Sequence, residues 1–241
     1  MQEFAKTIIS NWAAHFNCET SFIRKKGTYL QPDEKYAGKN MVILWHIEQR
    51  TFALFDPILA GVMNEVLSSF PADSSITGEN VKQLVGRNRI TSHDIGLIHY
   101  LYPSDFPSYD LFPEFSVRKL SIIDGDKLSE LHNNCTSEEV EDGYVEINHE
   151  IVFGCFLNDE LVSAASGYRM AGFMDIGVLT HHKFRRLGLG KAVVANLCNW
   201  SIDHDVITQY RCNSDNAGSR GVAEALNFRL YYTSESLIMK D

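Results

Sequence analysis

Arg185-Arg186-Leu187-Gly188-Leu189-Gly190-Lys191-Ala192 stands between an apolar, strand-like run, Ile176 to Thr180, and a helix-like run, Ala192 to Ile202. A strand that turns into a helix through two glycines offers backbone to whatever lies above the turn, because glycine carries no Cβ. The first N–H groups of the helix have no partner within it. They suit an anion, and the helix dipole adds about 0.3–1 kcal/mol for negative charge there. Arg185, Arg186 and Lys191 bring three full positive charges to the same place. The stretch reads as a phosphate-holding turn; the alternative is a turn that needs glycine for geometry alone, with an arginine in a surface ion pair.

A second pattern follows. Asn216-x-x-Ser219-x-x-Val222-Ala223-x-x-Leu226-Asn227-Phe228 begins 26 residues after Gly190 and reads as a short helix with a polar entrance. Arg185-x-x-Gly188-x-Gly190 after a strand, followed by this late helix, resembles the GNAT family of N-acetyltransferases. Two motifs in the right order and separation are far more specific than either alone. The resemblance covers about Ser116 to Asp241. It implies that the pyrophosphate of acetyl-CoA rests on Arg185, Arg186, Leu187, Gly188, Leu189, Gly190 and Lys191. It further implies that the pantetheine pairs with backbone at Val178, Leu179 and Thr180, and that Asn216 and Ser219 complete the cofactor site. Two positions depart from the family pattern. Asn227 replaces a glycine, a mild change because asparagine tolerates the left-handed backbone of a helix end. Ala223 stands where many members carry a tyrosine that protonates the departing thiolate. That route is closed, and Ser219 becomes the candidate acid. A dinucleotide-binding turn fits poorly, since Val193 occupies the place of the third glycine and no acidic residue follows in the expected strand.

The fold class expected is α/β (α+β): a mixed, mostly antiparallel GNAT-type sheet flanked by helices, after a smaller N-terminal α/β domain. Prolines clustered at 103, 107 and 113, in and just after the turn-rich stretch from Tyr102 to Asp110, divide the chain into 1–113 and 114–241. The first part matches no motif, and its expected role is to help form the acceptor pocket. Within it, Met41 to Ile47 and Thr51 to Phe55 read as strands. Asp56 then caps a helix with Pro57 in its first turn and an apolar stripe up to Phe70. The second part reads as a strand at Ser116 to Leu120, helices near Asp126 to Asn133 and Glu138 to Ile147, and a hairpin of Ile151 to Leu157 with Leu161 to Arg169 about Asn158-Asp159. A strand at Met174 to Thr180, a helix at Gly190 to Asp203, a strand at Ile207 to Cys212, a helix at Asn216 to Leu226 and C-terminal strands through Met239 complete it.

Composition limits the function. With 241 residues and 44% hydrophobic content the chain can bury a sizeable core. Its net charge of −9 argues against nucleic acid as a partner. No apolar run approaches the roughly 18 residues of a membrane span, and the first residues lack a basic and then apolar leader, so a cytoplasmic protein is expected. Five scattered cysteines without a Cys-x-x-Cys pair predict reduced thiols and no metal. Ser137 to Glu146 carries five carboxylates and no cation. This is either a solvated helix face or a region that attracts a cationic amine.

The chemistry implied is direct attack of an amine on the thioester of acetyl-CoA, the co-substrate. The acceptor expected is a small, cationic primary amine. Protein N-termini or lysines are alternative acceptors, and a non-catalytic CoA-binding regulatory module is a reading of another class. A lysine-like amine is protonated at neutral pH, so a base is required. Asp175, at the start of the critical strand, is the first candidate base; Glu146, His149, His181 and His182 are others. The expected partners are acetyl-CoA and the amine, with a homodimer as the assembly.

Overall fold

The computed structural model describes residues 2–107 and 113–240, so the last part of the turn-rich stretch at 102–110 lies outside the described residues. Two compact units emerge. The first comprises Met1–Ile98, Cys212–Ala217 and Leu230–Asp241; the second comprises His99–Arg211 and Gly218–Arg229. This differs from a single cut at 113. The last strand of the chain pairs with a strand near residue 44, which returns the C-terminus to the first unit.

In the first unit, helices α1 (Gln2–His15) and α2 (Thr20–Ile23) precede strand β1 (Gly27–Pro32). Strands β2 (Met41–Ile47) and β3 (Arg50–Phe55), helices α3 (Ala60–Ser68) and α4 (Gly78–Val85), and strand β4 (Ile90–Tyr100) follow. Asp56 caps as its sequence predicts, its carboxylate accepting from the Ile58 N–H at 3.1 Å. One 3-10 turn over Pro57–Leu59 intervenes before α3 begins. Val42 and Leu44 of β2, with Ala53 and Phe55 of β3, meet Met63 and Val66 of α3 and Val81 of α4. On the opposite side Trp12 of α1 packs on Trp45, and Phe16 stacks on Phe52 with centroids 3.9 Å apart. Burying each such ring contributes about 1.5–3 kcal/mol, which explains why both faces of these strands are apolar.

The second unit opens with β5 (Phe115–Lys119), α5 (Gly125–Asn133) and α6 (Ser137–Gly143). Strands β6 (Ile151–Leu157), β7 (Glu160–Met170) and β8 (Phe173–Thr180) form a meander. Helix α7 (Leu189–Asp203), strand β9 (Thr208–Asn213) and helix α8 (Ala217–Ala225) follow, and β10 (Arg229–Met239) runs back into the first unit. The unit's strand order is β9-β8-β7-β6-β5, antiparallel except for β8 and β9. This is the mixed, mostly antiparallel sheet expected. Asn158 takes the left-handed backbone at the β6–β7 turn, with φ of 53°. Leu128 and Leu131 of α5 cover one face with Val152, Phe156, Leu161 and Leu179.

Two elements differ from the sequence reading. Helix α6 stops at Gly143 instead of continuing to Ile147. Tyr144 turns left-handed at φ 42°, and a Cβ on Gly143 would lie 2.9 Å from the Val178 carbonyl. The chain has to leave the helix there to pass over β8. The C-terminal region forms one eleven-residue strand, β10, rather than several.

Candidate active site

The site is built around the C-terminal half of β8. Parallel pairing with β9 covers Met174↔Thr208, Asp175↔Gln209 and Ile176↔Tyr210. Strand β8 then continues to Thr180, so Gly177 to Thr180 run beyond the paired stretch. Their other edge stays bound to β7 through Ser166↔Gly177, Ala165↔Val178, Ala164↔Leu179 and Ser163↔Thr180. A strand held on one side and open on the other offers N–H and C=O groups to an extended ligand. Val178 and Thr180 are half-buried, whereas Leu179 points into the core.

The glycine turn follows. Arg186 and Gly188 both take left-handed backbone, at φ 65° and 79°, which brings the chain sharply into α7. The helix starts at Leu189, one residue before the expected Gly190, with Gly188 as its N-cap. Leu189 is buried against the core, while Leu187 is 40% exposed. A Cβ on Gly190 would lie 3.3 Å from Thr180 Oγ1, 3.7 Å from Val178 Cγ2 and 3.9 Å from Val222 Cγ2. The absence of a side chain there lets the start of α7 lie close to the end of β8 and to α8. Ser219, half-buried in the first turns of α8, is one helical turn before Val222. The structure thus brings Val178, Thr180 and the glycine turn together, with Val222 of α8 beside them. Asn216 precedes α8 and is grouped with the first unit.

The charges around the turn are partly committed. Arg185 pairs with Glu139 at 2.7 Å and donates from Nε to the Thr180 carbonyl at 3.3 Å. Glu139 also closes a capping box with Thr136 at the start of α6. The Thr136 N–H and then the Arg185 guanidinium hold its carboxyl below the usual range. The acidic helix therefore spends one of its carboxylates on the turn. Arg186 is exposed and Lys191 half-buried. His181 is buried and accepts from the Lys183 N–H at 3.1 Å, capping a 3-10 turn. His182 is exposed and bonds the Asn134 carbonyl at 2.9 Å. Both histidines thus serve the loop.

Asp175 has a different environment from that of a poised base. It is 2% exposed. Arg211 donates to it from Nε at 2.9 and 3.1 Å and from a terminal nitrogen at 2.5 Å. Tyr168 donates its phenol at 2.6 Å and Gln209 its amide at 3.0 Å. A carboxylate surrounded by five donor contacts cross-links β7, β8 and β9, and an incoming amine would have to displace one of them. Asp175, expected as a base, is thus committed to these donors. Burial is the largest influence on the Tyr168 phenol and raises its pKa, so it stays protonated.

A group that the motifs did not single out lies beside this network. Tyr144, His149 and Tyr168 pack ring against ring with centroids 4.9–5.0 Å apart. His149 Nδ1 lies 2.8 Å from Ser166 Oγ. Burial lowers the His149 pKa, with Glu146 acting weakly the other way. Gly177 lies under the same loop: a Cβ there would come 2.6 Å from the Tyr144 carbonyl oxygen. Among the described residues no group of three or more His, Cys, Asp or Glu is arranged to hold a metal, and no helix is long and apolar enough to cross a membrane.

Residues 147–235 match the family model described as GNAT acetyltransferase. No curated protein matches the chain. Among solved structures, a GNAT-family acetyltransferase from Colwellia psychrerythraea superposes with a TM-score of 0.53 at 13% identity, over 85% of this chain and 84% of its own. A GCN5-related N-acetyltransferase from Sphaerobacter thermophilus gives 0.55 at 10% identity, over 78% and 71%. A Drosophila protein gives 0.53 at 13% identity, over 98% and 88%. At these identities the likeness is one of fold. The stretch that matches the GNAT acetyltransferase model holds the β6–β8 meander, the glycine turn and α8.

Proposed function

We propose that the protein transfers an acetyl group from acetyl-CoA to the primary amine of a small, cationic molecule by direct attack of the amine on the thioester. The observation that carries this reading is the open edge of β8 from Gly177 to Thr180, which leads straight into the glycine turn. Pantetheine would lie along that edge as an added strand, with the pyrophosphate on the N–H groups of Leu189, Gly190 and Lys191. Arg185, Arg186 and Lys191 would supply the positive charge, and Leu187 would flank the turn. Ser219 would border the cofactor from the first turns of α8. Backbone N–H groups between Val178 and Thr180 would face the oxyanion that develops on the thioester carbonyl. Holding both reactants in place supplies several kcal/mol of the barrier. Ser219 would deliver a proton to the departing thiolate in place of the tyrosine that Ala223 replaces.

The cationic character of the acceptor is supported by the net charge of −9 and by the carboxylates of α6 and Glu146, which lie on the segment leading into the Tyr144–His149–Tyr168 cluster. Aromatic faces and carboxylates both favour an ammonium group. Calorimetric titration with acetyl-CoA, followed by thiol release from acetyl-CoA with a panel of polyamines and aminoglycosides, tests the proposal. Micromolar binding and turnover of an amine are expected. Binding without turnover of any amine would favour a regulatory CoA-binding module, and no binding would remove acetyl-CoA altogether.

A further inference from the structure

The reaction needs a group that takes a proton from the acceptor ammonium. We infer that His149 Nε2 is that group and that Ser166 holds the ring in the tautomer the task requires; this rests on the acetyl-transfer reading above.

Ser166 stands beside the His149 ring. Its side chain is buried, and the residue pairs directly with Gly177, the first position of β8 beyond the pairing with β9. A hydroxyl has one proton to give and two lone pairs to offer. Ser166 Oγ lies 3.4 Å from the Glu146 nitrogen, 3.4 Å from the Tyr144 carbonyl oxygen and 2.8 Å from His149 Nδ1. The Glu146 N–H can only donate and the Tyr144 carbonyl can only accept. If the hydroxyl gives its proton to that carbonyl, its remaining lone pair accepts from Nδ1–H. All three contacts are then satisfied, and His149 carries its proton on Nδ1 with a lone pair on Nε2. The opposite tautomer would leave the Tyr144 carbonyl without this donor. His149 Nε2 has no hydrogen-bonding partner among the described residues. The groups facing the ring are the aromatic faces of Tyr144 and Tyr168, the Ser166 hydroxyl and the charge of Glu146. Burial lowers the His149 pKa, which keeps the ring neutral near pH 7 and ready to accept a proton.

The ammonium gives one proton to Nε2, and the neutral nitrogen attacks the carbonyl carbon. A C–N bond forms and the C–S bond breaks. The second proton lost by nitrogen goes to the thiolate, while the imidazolium returns its own to water.

Two measurements test this. Long-range proton–nitrogen NMR of the full chain should show His149 with Nδ1 protonated, and Ser166→Ala should shift it towards the other tautomer; an Nε2–H ring in the unaltered protein overturns the assignment. On whichever amine of the panel is turned over fastest, His149→Gln should lower kcat/KM at least about 100-fold. It should also remove the limb of the pH profile below about pH 6.5, with acetyl-CoA affinity within twofold. An unchanged rate and profile in His149→Gln would refute the base and leave acetyl transfer standing. Failure of the unaltered protein to bind acetyl-CoA would remove both.

Discussion

Glu139 Oε1 lies 2.7 Å from a terminal nitrogen of Arg185, tying the first turn of α6 to the glycine turn ahead of α7. Both partners are partly exposed, so the pair is worth about 0.2–1 kcal/mol. If Arg185 is to meet a pyrophosphate, this contact competes with the ligand. Glu139→Gln keeps the capping box, because glutamine serves that position as well. It should tighten acetyl-CoA binding by up to about fivefold, most clearly at low salt, where the competing pair is strongest. Calorimetry at two ionic strengths checks it; weaker binding would mean that Glu139 orients Arg185 for the ligand instead of competing with it.

A Cβ on Gly190 would press on Thr180 Oγ1 at 3.3 Å, so a bulky side chain on its inner side is crowded against the end of β8. Gly190→Trp has to turn its ring outward over the N–H groups of the turn, and it should weaken acetyl-CoA binding at least about 100-fold, near 2.7 kcal/mol. A melting temperature within a few degrees of the parent would show that the fold survives. Unchanged affinity would take the turn out of the site.

Ser219→Ala removes one hydroxyl from the first turns of α8. If that hydroxyl protonates the thiolate, kcat should fall at least about tenfold while the Michaelis constant for acetyl-CoA changes little. Full activity would leave Ser219 to packing alone.

Asp175 and Arg211 should show strong coupling. Asp175→Asn leaves a guanidinium facing a neutral amide, and the side chain of Arg211 is one third exposed, which softens the loss. A destabilisation of about 2–3 kcal/mol is expected, below the range for fully buried pairs. Arg211→Met strands the carboxylate at a similar cost, and the double variant should lose less than the sum of the two. Chemical denaturation of the four proteins gives the cycle; simple additivity would show that the pair is not one unit.

In the first unit, Glu235 accepts from His46 at 2.9 Å and from His93 at 2.6 Å. Burial pushes its pKa up, but His46, the Gly78 N–H and His93 together hold it down to about 2, from an ordinary 4.5. A depressed pKa contributes stability that is present above pH 4.5 and is lost as the pH falls from there towards 2. The full contribution is on the order of 3 kcal/mol. Glu235→Gln should therefore be less stable at pH 7 and should lose stability less steeply between pH 4.5 and 2. Parallel curves for the two proteins would show that the carboxylate is not held in this way.

The strands of the second unit, the Asn158 turn and α7 are legible because each rests on neighbours in sequence: alternation, a left-handed asparagine and a glycine pair. The same locality explains what stays hidden. Tyr168, Asp175 and Arg211 meet only because β7, β8 and β9 align in one register, and no spacing along the chain encodes that register. His149 and Ser166 are brought together by the early end of α6, which depends on the Val178 carbonyl lying against Gly143. The first unit gives little away because its β1 pairs in parallel with β3 and its β2 pairs with a strand from the far end of the chain.

That last pairing has a consequence for synthesis. Residues 41–46 align with 233–238, and β10 also borders β4 in the first unit. A ribosome delivers the chain from its N-terminus, so residues 41–46 wait for residues 233–238 before their sheet can close. The later-made second unit has most of its strands in hand before then. Loss of β10 should therefore damage the sheet around β2 first, and an exposed β2 edge, awaiting its partner, is where a chain stalled before β10 would be most inclined to associate with others.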